Sequence, residues 1–509
     1  MRGIVMRGPV RRALASLAAL SAVLAGVAAH AAAAQVWYFA DSPTYPGIRL
    51  LEIGEDGARV TSDWYGTMPA QNLRRNAQGF EFDLGNLNDN ARPTRHWVAA
   101  VQGDQLTLTG DIWTSHVVQA GRPATAQEQK RYRFTPTSLP PLADLAPDGQ
   151  AATPPMGWSS WNRFAEGIDD KTVREIADAM VSSGLRDAGY VYVNIDDGWQ
   201  GERGADGVLR PNAKFPDMKG LADYVHARGL KLGLYSSPGP KTCAGFTGSY
   251  GHVAQDARTF AGWGVDYLKY DLCSGEWFYR SQDEVRRSYQ EMGAALKASG
   301  RSIVYSLCEY GRVDVAAWGR KAGGHLWRTT GDITDDFASM TAIGLDRNPR
   351  FPAGGPGGWN DPDMLEVGNG GMSAVEYRAH MALWAMSAAP LLMGHDVRSM
   401  SDETREILKN KDVIAIDQDR LGAPGRRLRS EGQAEVWFRA LADGGRAVAL
   451  FNRGEQPVRL LLTQAETGQQ TTALDVWAQR QVSTGDAFVL PAHGSVLLRL
   501  AAARSATAG

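Results

Sequence analysis

In "VDYLKYDLCSG", residues 265–275, an apolar run ends on Lys269 and Asp271, two charged side chains two positions apart. Alternation along a strand puts both on the same face. Similar endings recur: short apolar bursts close on Trp161, on Asp196 and Asp197, on Tyr235, on Glu309, on Arg328 with Asp332, and on Asp361 with Asp363. A single acid at a strand end is most often a cap or half of a structural ion pair. Endings of this kind on strand after strand describe a shared pocket instead. Paired carboxyl groups, aromatics to lie on a sugar face and further charged groups to hold hydroxyls are what glycoside hydrolysis requires.

Other chemistries lack their residues. The nine histidines are scattered with no HExxH-type spacing, so a zinc hydrolase has no ligand set. No GxGxxG leads a strand into a helix and no P-loop occurs, so neither a dinucleotide nor a nucleotide is expected. The "GGPGG" at residues 354–358 reads as a flexible loop. A phosphate-handling barrel would want a Gly-rich loop after its last strands, and "MGHDVRSMSDET" offers none. No metal and no cofactor are expected. An inert, lectin-like barrel would have lost Asp271 or Asp332, and both are present.

The elements that must position these groups are legible. Eight strand candidates, "MGWSSW", "YVYVNIDD", "LKLGLYSS", "VDYLKYD", "SIVYSLCE", "LWRTTGD", "WNDPDML" and "PLLMGHD", alternate with helix-period stretches. Val173, Ile176, Ala177, Met180 and Val181 share one helical face after the capping pair Asp169 and Asp170, and Gly184 closes the run. Val285, Tyr289, Met292 and Leu296 repeat the spacing before Gly300. Eight such repeats over residues 154–421 predict an α/β (β/α)8 barrel, whose active site opens at the C-terminal ends of the strands.

Around the barrel the composition changes. Residues 1–34 place Arg2, Arg7, Arg11 and Arg12 before an Ala/Leu-rich run and small residues, the order of a secretory signal peptide. Its removal lowers Lys plus Arg from 54 to 50 against 56 acids, a formal charge of −6. An acidic mature chain has no electrostatic footprint for nucleic acid, and without the leader no membrane attachment is expected. Residues 35–136 read as an all-β module with "AQVWYFA", "GFEFDLG", "DQLTLTG" and "KRYRFTP" as strands. In it Trp37, Tyr38, Trp64, Trp97 and Trp113 offer a candidate sugar-binding platform, although most aromatics in such a module are core. Residues 137–153 are a Pro-rich linker, and residues 422–505 return to β pattern as an antiparallel sandwich.

"TPPMGWSSWNRF", "NIDDGWQ", "LKLGLYSSPGPKTCAGFTGSYGH", "DARTFAGWGVDYLKYDLC", "LCEYG", "WRTTGDI" and "GGWNDPDMLEVGNGGMS" together resemble the α-galactosidases of glycoside hydrolase family 27. The likeness runs in order from about residue 154 to the C-terminal β domain. It implies Asp271 as nucleophile and Asp332 as general acid/base of a retaining double displacement on α-galactoside oligosaccharides or polysaccharides. It also implies that Asp196 and Asp197 grip the sugar's 4- and 6-hydroxyls and that Trp161 lies against its apolar face. Tyr235, Lys269, Arg328 and Asp363 match further contacts, and Cys243 and Cys273 match a disulfide beside the site. On physical grounds Lys269 should keep Asp271 ionised, while the acid needs a raised pKa.

Substrate choice rests on few residues. Glu309 stands where α-galactosidases place an acid near the sugar's 2-position, which implies galactose over N-acetylgalactosamine. Relatives that prefer β-L-arabinopyranose lengthen an acid in the "DD" region, whereas Asp196 and Asp197 here are both short. Tyr310 departs from the Trp that many relatives carry. Cys308 reads as a small buried strand residue.

Overall fold

The computed structural model describes residues 34–502, except 41–46, 56, 63, 65, 85–94, 113–114, 135–136 and 353. The leader up to residue 33 and Trp113 lie outside the described residues. The chain divides into two compact units, Met1–Thr135 and Pro136–Gly509.

In the second unit all eight expected strands form: β1 (Met156–Ser159), β2 (Tyr192–Asn194), β3 (Lys231–Ser236), β4 (Tyr267–Asp271), β5 (Val304–Cys308), β6 (Leu326–Arg328), β7 (Trp359–Asp361) and β8 (Leu391–Met393). They make one parallel sheet in the order β7-β6-β5-β4-β3-β2-β1-β8. Just past β7, Leu365 bridges in parallel to Met393, and its amide donates to Leu392 O at 2.7 Å, which brings the two outer strands together. Both faces of such a sheet are covered, so its strands are apolar throughout. Val193, Leu232, Leu234, Leu268 and Leu307 are all buried. Gly233 is required by packing: a Cβ there would lie 2.0 Å from Asn194 Oδ1.

The helices between strands follow their local signals. In α1 (Asp170–Ser182) the Asp169 side chain accepts from Thr172 N, and Val173, Ile176, Ala177 and Met180 are buried against the sheet. The next helices are α2 (Met218–His226), capped by Asp217, and α3 (Val253–Trp263), closed by Gly264 in the left-handed region. Then α4 (Gln282–Ala298) begins with a capping box between Ser281 and Glu284 and buries Val285, Tyr289, Met292 and Leu296.

Two segments of the intervening chain are held in place. Residues 137–153, read as a Pro-rich linker, run as a strap along α4. Ala143 N donates to Gln290 Oε1, Gln290 Nε2 to Pro141 O and Lys297 Nζ to Ala146 O. The "GGPGG" loop, read as flexible, is fixed, with Gly355 paired to Gly358 and Arg320 donating to the carbonyls of Gly355, Pro356 and Gly358.

The C-terminal strands Arg426–Glu431, Ala434–Ala440, Arg446–Asn452, Ser495–Leu500, Thr472–Asp475 and Arg480–Ser483 form an antiparallel sheet in that order, with Val458–Leu460 paired to Phe488–Leu490 beside it. Between sheet and barrel lies α5 (Ala374–Ser387), buried on nearly every side from Tyr377 onward. Trp437, Phe451 and Leu497 share its apolar cluster.

Among the described residues, the first unit holds a nine-stranded antiparallel sheet. "KRYRFTP" is not a strand there: residues through Tyr132 belong to the helix Ala126–Tyr132, started by a capping box between Thr125 and Glu128. Trp37, Trp64 and Trp97 are buried core, and Tyr38 stacks on Tyr132 at 5.7 Å between ring centroids, so these rings do not form an open platform. Among the described residues, no helix is long and apolar enough to cross a membrane.

Candidate active site

The strand ends converge as the barrel requires. Beneath the mouth, Ser159, Asn194, Asp196, Lys269, Arg328 and Asp363 line a recess with about 380 Å³ of atom-free space, part of it open to solvent.

Asp271, the last residue of β4, is 4% exposed. Its carboxylate accepts from two phenols, Tyr235 OH to Oδ2 at 3.1 Å and Tyr310 OH to Oδ1 at 2.6 Å. Burial pushes its pKa above the ordinary value, against the pull of Lys269 and the Tyr310 hydrogen bond. Lys269 favours the charged form as expected, but burial outweighs its pull. Lys269 Nζ pairs instead with Asp196 Oδ2 at 3.0 Å, so its charge is shared out before it reaches the neighbouring carboxylate.

Asp332 lies on the loop after β6, with its side chain 69% exposed. Its partial burial is outweighed by Arg328 and Lys269, which lower its pKa, the reverse of what a resting general acid needs. Arg328 is the organiser of this side. Its Nη2 donates to Asp332 Oδ1 at 3.0 Å and Thr330 O at 3.2 Å, and its Nη1 pairs with Asp363 Oδ1 at 3.1 Å. Asp363 Oδ2 in turn accepts from Ile333 N at 2.9 Å, which ties the β6 loop to the β7 loop. Asp363 holds φ +88°, a strained backbone for a residue with a side chain.

After β2, Asp196 accepts from Ser159 Oγ at 3.2 Å and from Asp197 N at 2.9 Å, and its own amide donates to Ser160 Oγ. Asp197 Oδ2 accepts from Ala244 N at 2.7 Å, while Oδ1 is buried without a hydrogen-bond partner. Burial, reinforced by Asp196 and Asp271, pushes Asp197 up to about 7. The loop that supplies Ala244 is held by a Cys243–Cys273 disulfide, with Cα atoms 4.9 Å apart. Tyr235 OH lies 3.1 Å from Cys273 Sγ, so the bridge also seats one donor to Asp271. Trp161 stands partly buried at the mouth, packed on the barrel's interior cluster.

Glu309 directly follows the last residue of β5. It is 0% exposed, and its oxygens accept from Gly311 N at 2.8 Å and Val313 N at 2.9 Å, so it folds the loop after β5. Burial, opposed by these bonds, lifts it to about 7. Tyr310 beside it is the residue whose hydroxyl reaches Asp271. Cys308 is buried on β5, where burial keeps its thiol far above the usual range.

A closed parallel barrel whose mouth gathers one shielded carboxylate, one open carboxylate and a charged cradle between them defines a glycoside hydrolase. Residues 153–419 match the family described as alpha galactosidase A, and residues 431–500 match the alpha galactosidase C-terminal beta sandwich domain. An alpha-galactosidase of Cyamopsis tetragonoloba is 50% identical over 65% of this chain and 80% of its own. Alpha-galactosidase I from Mortierella vinacea has a similar structure, with TM-score 0.66 and 34% identity over 70% of this chain and all of its own. The Saccharomyces cerevisiae enzyme, solved with raffinose, gives TM-score 0.65 and 28% identity over 70% of this chain and 99% of its own. The chain belongs to the α-galactosidase family, glycoside hydrolase family 27.

Proposed function

We propose that the enzyme is an exported, retaining α-galactosidase that releases terminal non-reducing α-D-galactosyl residues from oligosaccharides or galactomannan. The observation that carries this reading is the contrast between Asp271, shielded between two phenols, and Asp332, open on the β6 loop. Asp271 attacks the anomeric carbon while Asp332 gives its proton to the departing oxygen. Asp332 then takes a proton from water, which cleaves the glycosyl ester on Asp271 and restores the original anomeric configuration. A bound sugar covers Asp332 and removes its water, which raises its pKa toward that of a working acid.

Galactose is the sugar the cradle suits. Asp197 Oδ1, buried and unpartnered, is an acceptor reserved for a hydroxyl. Asp196 and Asp197 are both short, which leaves room for the 6-hydroxymethyl group. The relative from Cyamopsis tetragonoloba is named an alpha-galactosidase, in line with this choice. The basic-then-apolar leader and the Cys243–Cys273 bridge support export to the periplasm or medium.

The test is the initial rate on p-nitrophenyl α-D-galactopyranoside, β-L-arabinopyranoside and α-N-acetylgalactosaminide at equal concentration. The galactoside should be hydrolysed fastest. A preference for the arabinoside would assign the enzyme to the pentose, and no activity on any of the three would refute the reading.

A further inference from the structure

Two phenols hold Asp271, and the closer one is Tyr310, at 2.6 Å against 3.1 Å for Tyr235. Several features converge to put it there. Its backbone sits at φ +63°, a conformation that costs a non-glycine residue energy and persists only where the surroundings impose it. The turn is imposed by Glu309, whose buried carboxylate binds the amides of Gly311 and Val313. The guanidinium groups of Arg312 and Arg328 lie 4.9 Å and 5.7 Å from the centre of the ring. The hydroxyl also touches Cys243 Sγ at 3.6 Å, so its one proton goes to Asp271 and its oxygen faces the disulfide.

We propose that Tyr310 is a positioning residue for the nucleophile, fixing the plane of the Asp271 carboxylate and favouring its charged form. This rests on Asp271 being the nucleophile. A hydrogen bond from a neutral donor to a carboxylate is strong and stabilises the charge. When Asp271 becomes an ester it loses that charge, so the Tyr310 bond weakens in the intermediate and is regained as the carboxylate leaves. Tyr310 therefore assists the second displacement in particular. Without it burial acts on Asp271 with less opposition.

The experiment compares Tyr310→Phe and Tyr310→Leu with the parent on p-nitrophenyl α-D-galactopyranoside across pH. Both variants lose the hydroxyl. If Phe leaves the protein unfolded, the smaller Leu side chain, which also carries no donor, has the same expectation. The kcat is expected to fall about 10- to 100-fold, the loss of one charge-assisted hydrogen bond. KM should fall with it as the glycosyl-enzyme accumulates, and the alkaline limb of kcat/KM, set by the higher of the two pKa values, that of Asp271, should move up by about one pH unit. An unmoved alkaline limb with unchanged KM would overturn the proposal. Asp271→Asn, measured alongside, separates the two readings. If it is inert while the Tyr310 variants behave as the parent, only the positioning role falls; if it turns over normally, the nucleophile assignment falls too.

Discussion

At the scale of single residues, the two carboxyls are displaced in opposite directions from the roles proposed for them. Asp271 sits above the ordinary carboxylate range because it is buried, and Asp332 sits below it because Arg328 holds it. The free enzyme thus carries little of the form in which Asp271 is charged and Asp332 is protonated. Binding changes only Asp332 strongly, because only Asp332 has water to lose. Since kcat/KM reports free enzyme and kcat reports the complex, the acid limb of kcat should lie at higher pH than that of kcat/KM, where Asp332 sets it. Coincident limbs in the two profiles would contradict this. Asp332→Asn should slow melibiose hydrolysis by about 10²–10⁴-fold while aryl galactosides, whose leaving groups need little protonation, lose much less. Equal losses on both substrates would remove Asp332 from the acid role. Residue types and strand-end positions were enough to assemble most of the cradle. Protonation was not legible, because it depends on burial and on which acid captures Lys269. Tyr310 stood out only as a departure from Trp, since its contact with Asp271 depends on a turn built by Glu309.

At the scale of elements, the strands of the barrel were readable because each is a short buried run that stops at a polar mouth. "KRYRFTP" was misread because alternating aromatic and basic residues look like a strand, whereas the deciding signal lay upstream in the Thr125–Glu128 capping box. The docking of the strap was not legible because Pro-rich composition says nothing about the α4 side chains that bind its backbone. The contact between barrel and C-terminal sheet has its own signature. Asp417 ends the helix Lys411–Asp417, is buried, and is pushed up to about 8, while Arg439 of the facing strand donates to the Asp417 carbonyl at 3.1 Å. A folded value above the unfolded one means that stability is full below about pH 4 and is lost as pH rises through 8. Asp417→Asn removes this titration. The drop in Tm between pH 5 and pH 8 should shrink by about 2–4 °C in the variant, and an unchanged drop would show that the carboxyl is not taxed by burial. Within the barrel, Leu268→Ala should lower stability by about 2–5 kcal/mol in a denaturant titration, because the closed sheet cannot collapse around the void.

At the scale of the whole molecule, the two compact units and the strap make a prediction about truncation. A protein starting at residue 137 keeps every hydrogen bond between strap and α4, so its activity on aryl galactosides should match that of the full chain. A start at residue 153 strips those partners from Gln290 and Lys297 and removes Leu145 from beside Gly293 of α4. That form should unfold several degrees lower, and equal Tm values for the two truncations would show that the strap contributes nothing. The central claim, a retaining hydrolysis through Asp271 and Asp332, is tested most directly by following p-nitrophenyl α-D-galactopyranoside cleavage with proton NMR in the first minutes, before mutarotation. The account predicts α-galactose as the first product, with the β anomer growing in later. β-Galactose appearing first would mean direct attack by water, and it would contradict the double displacement.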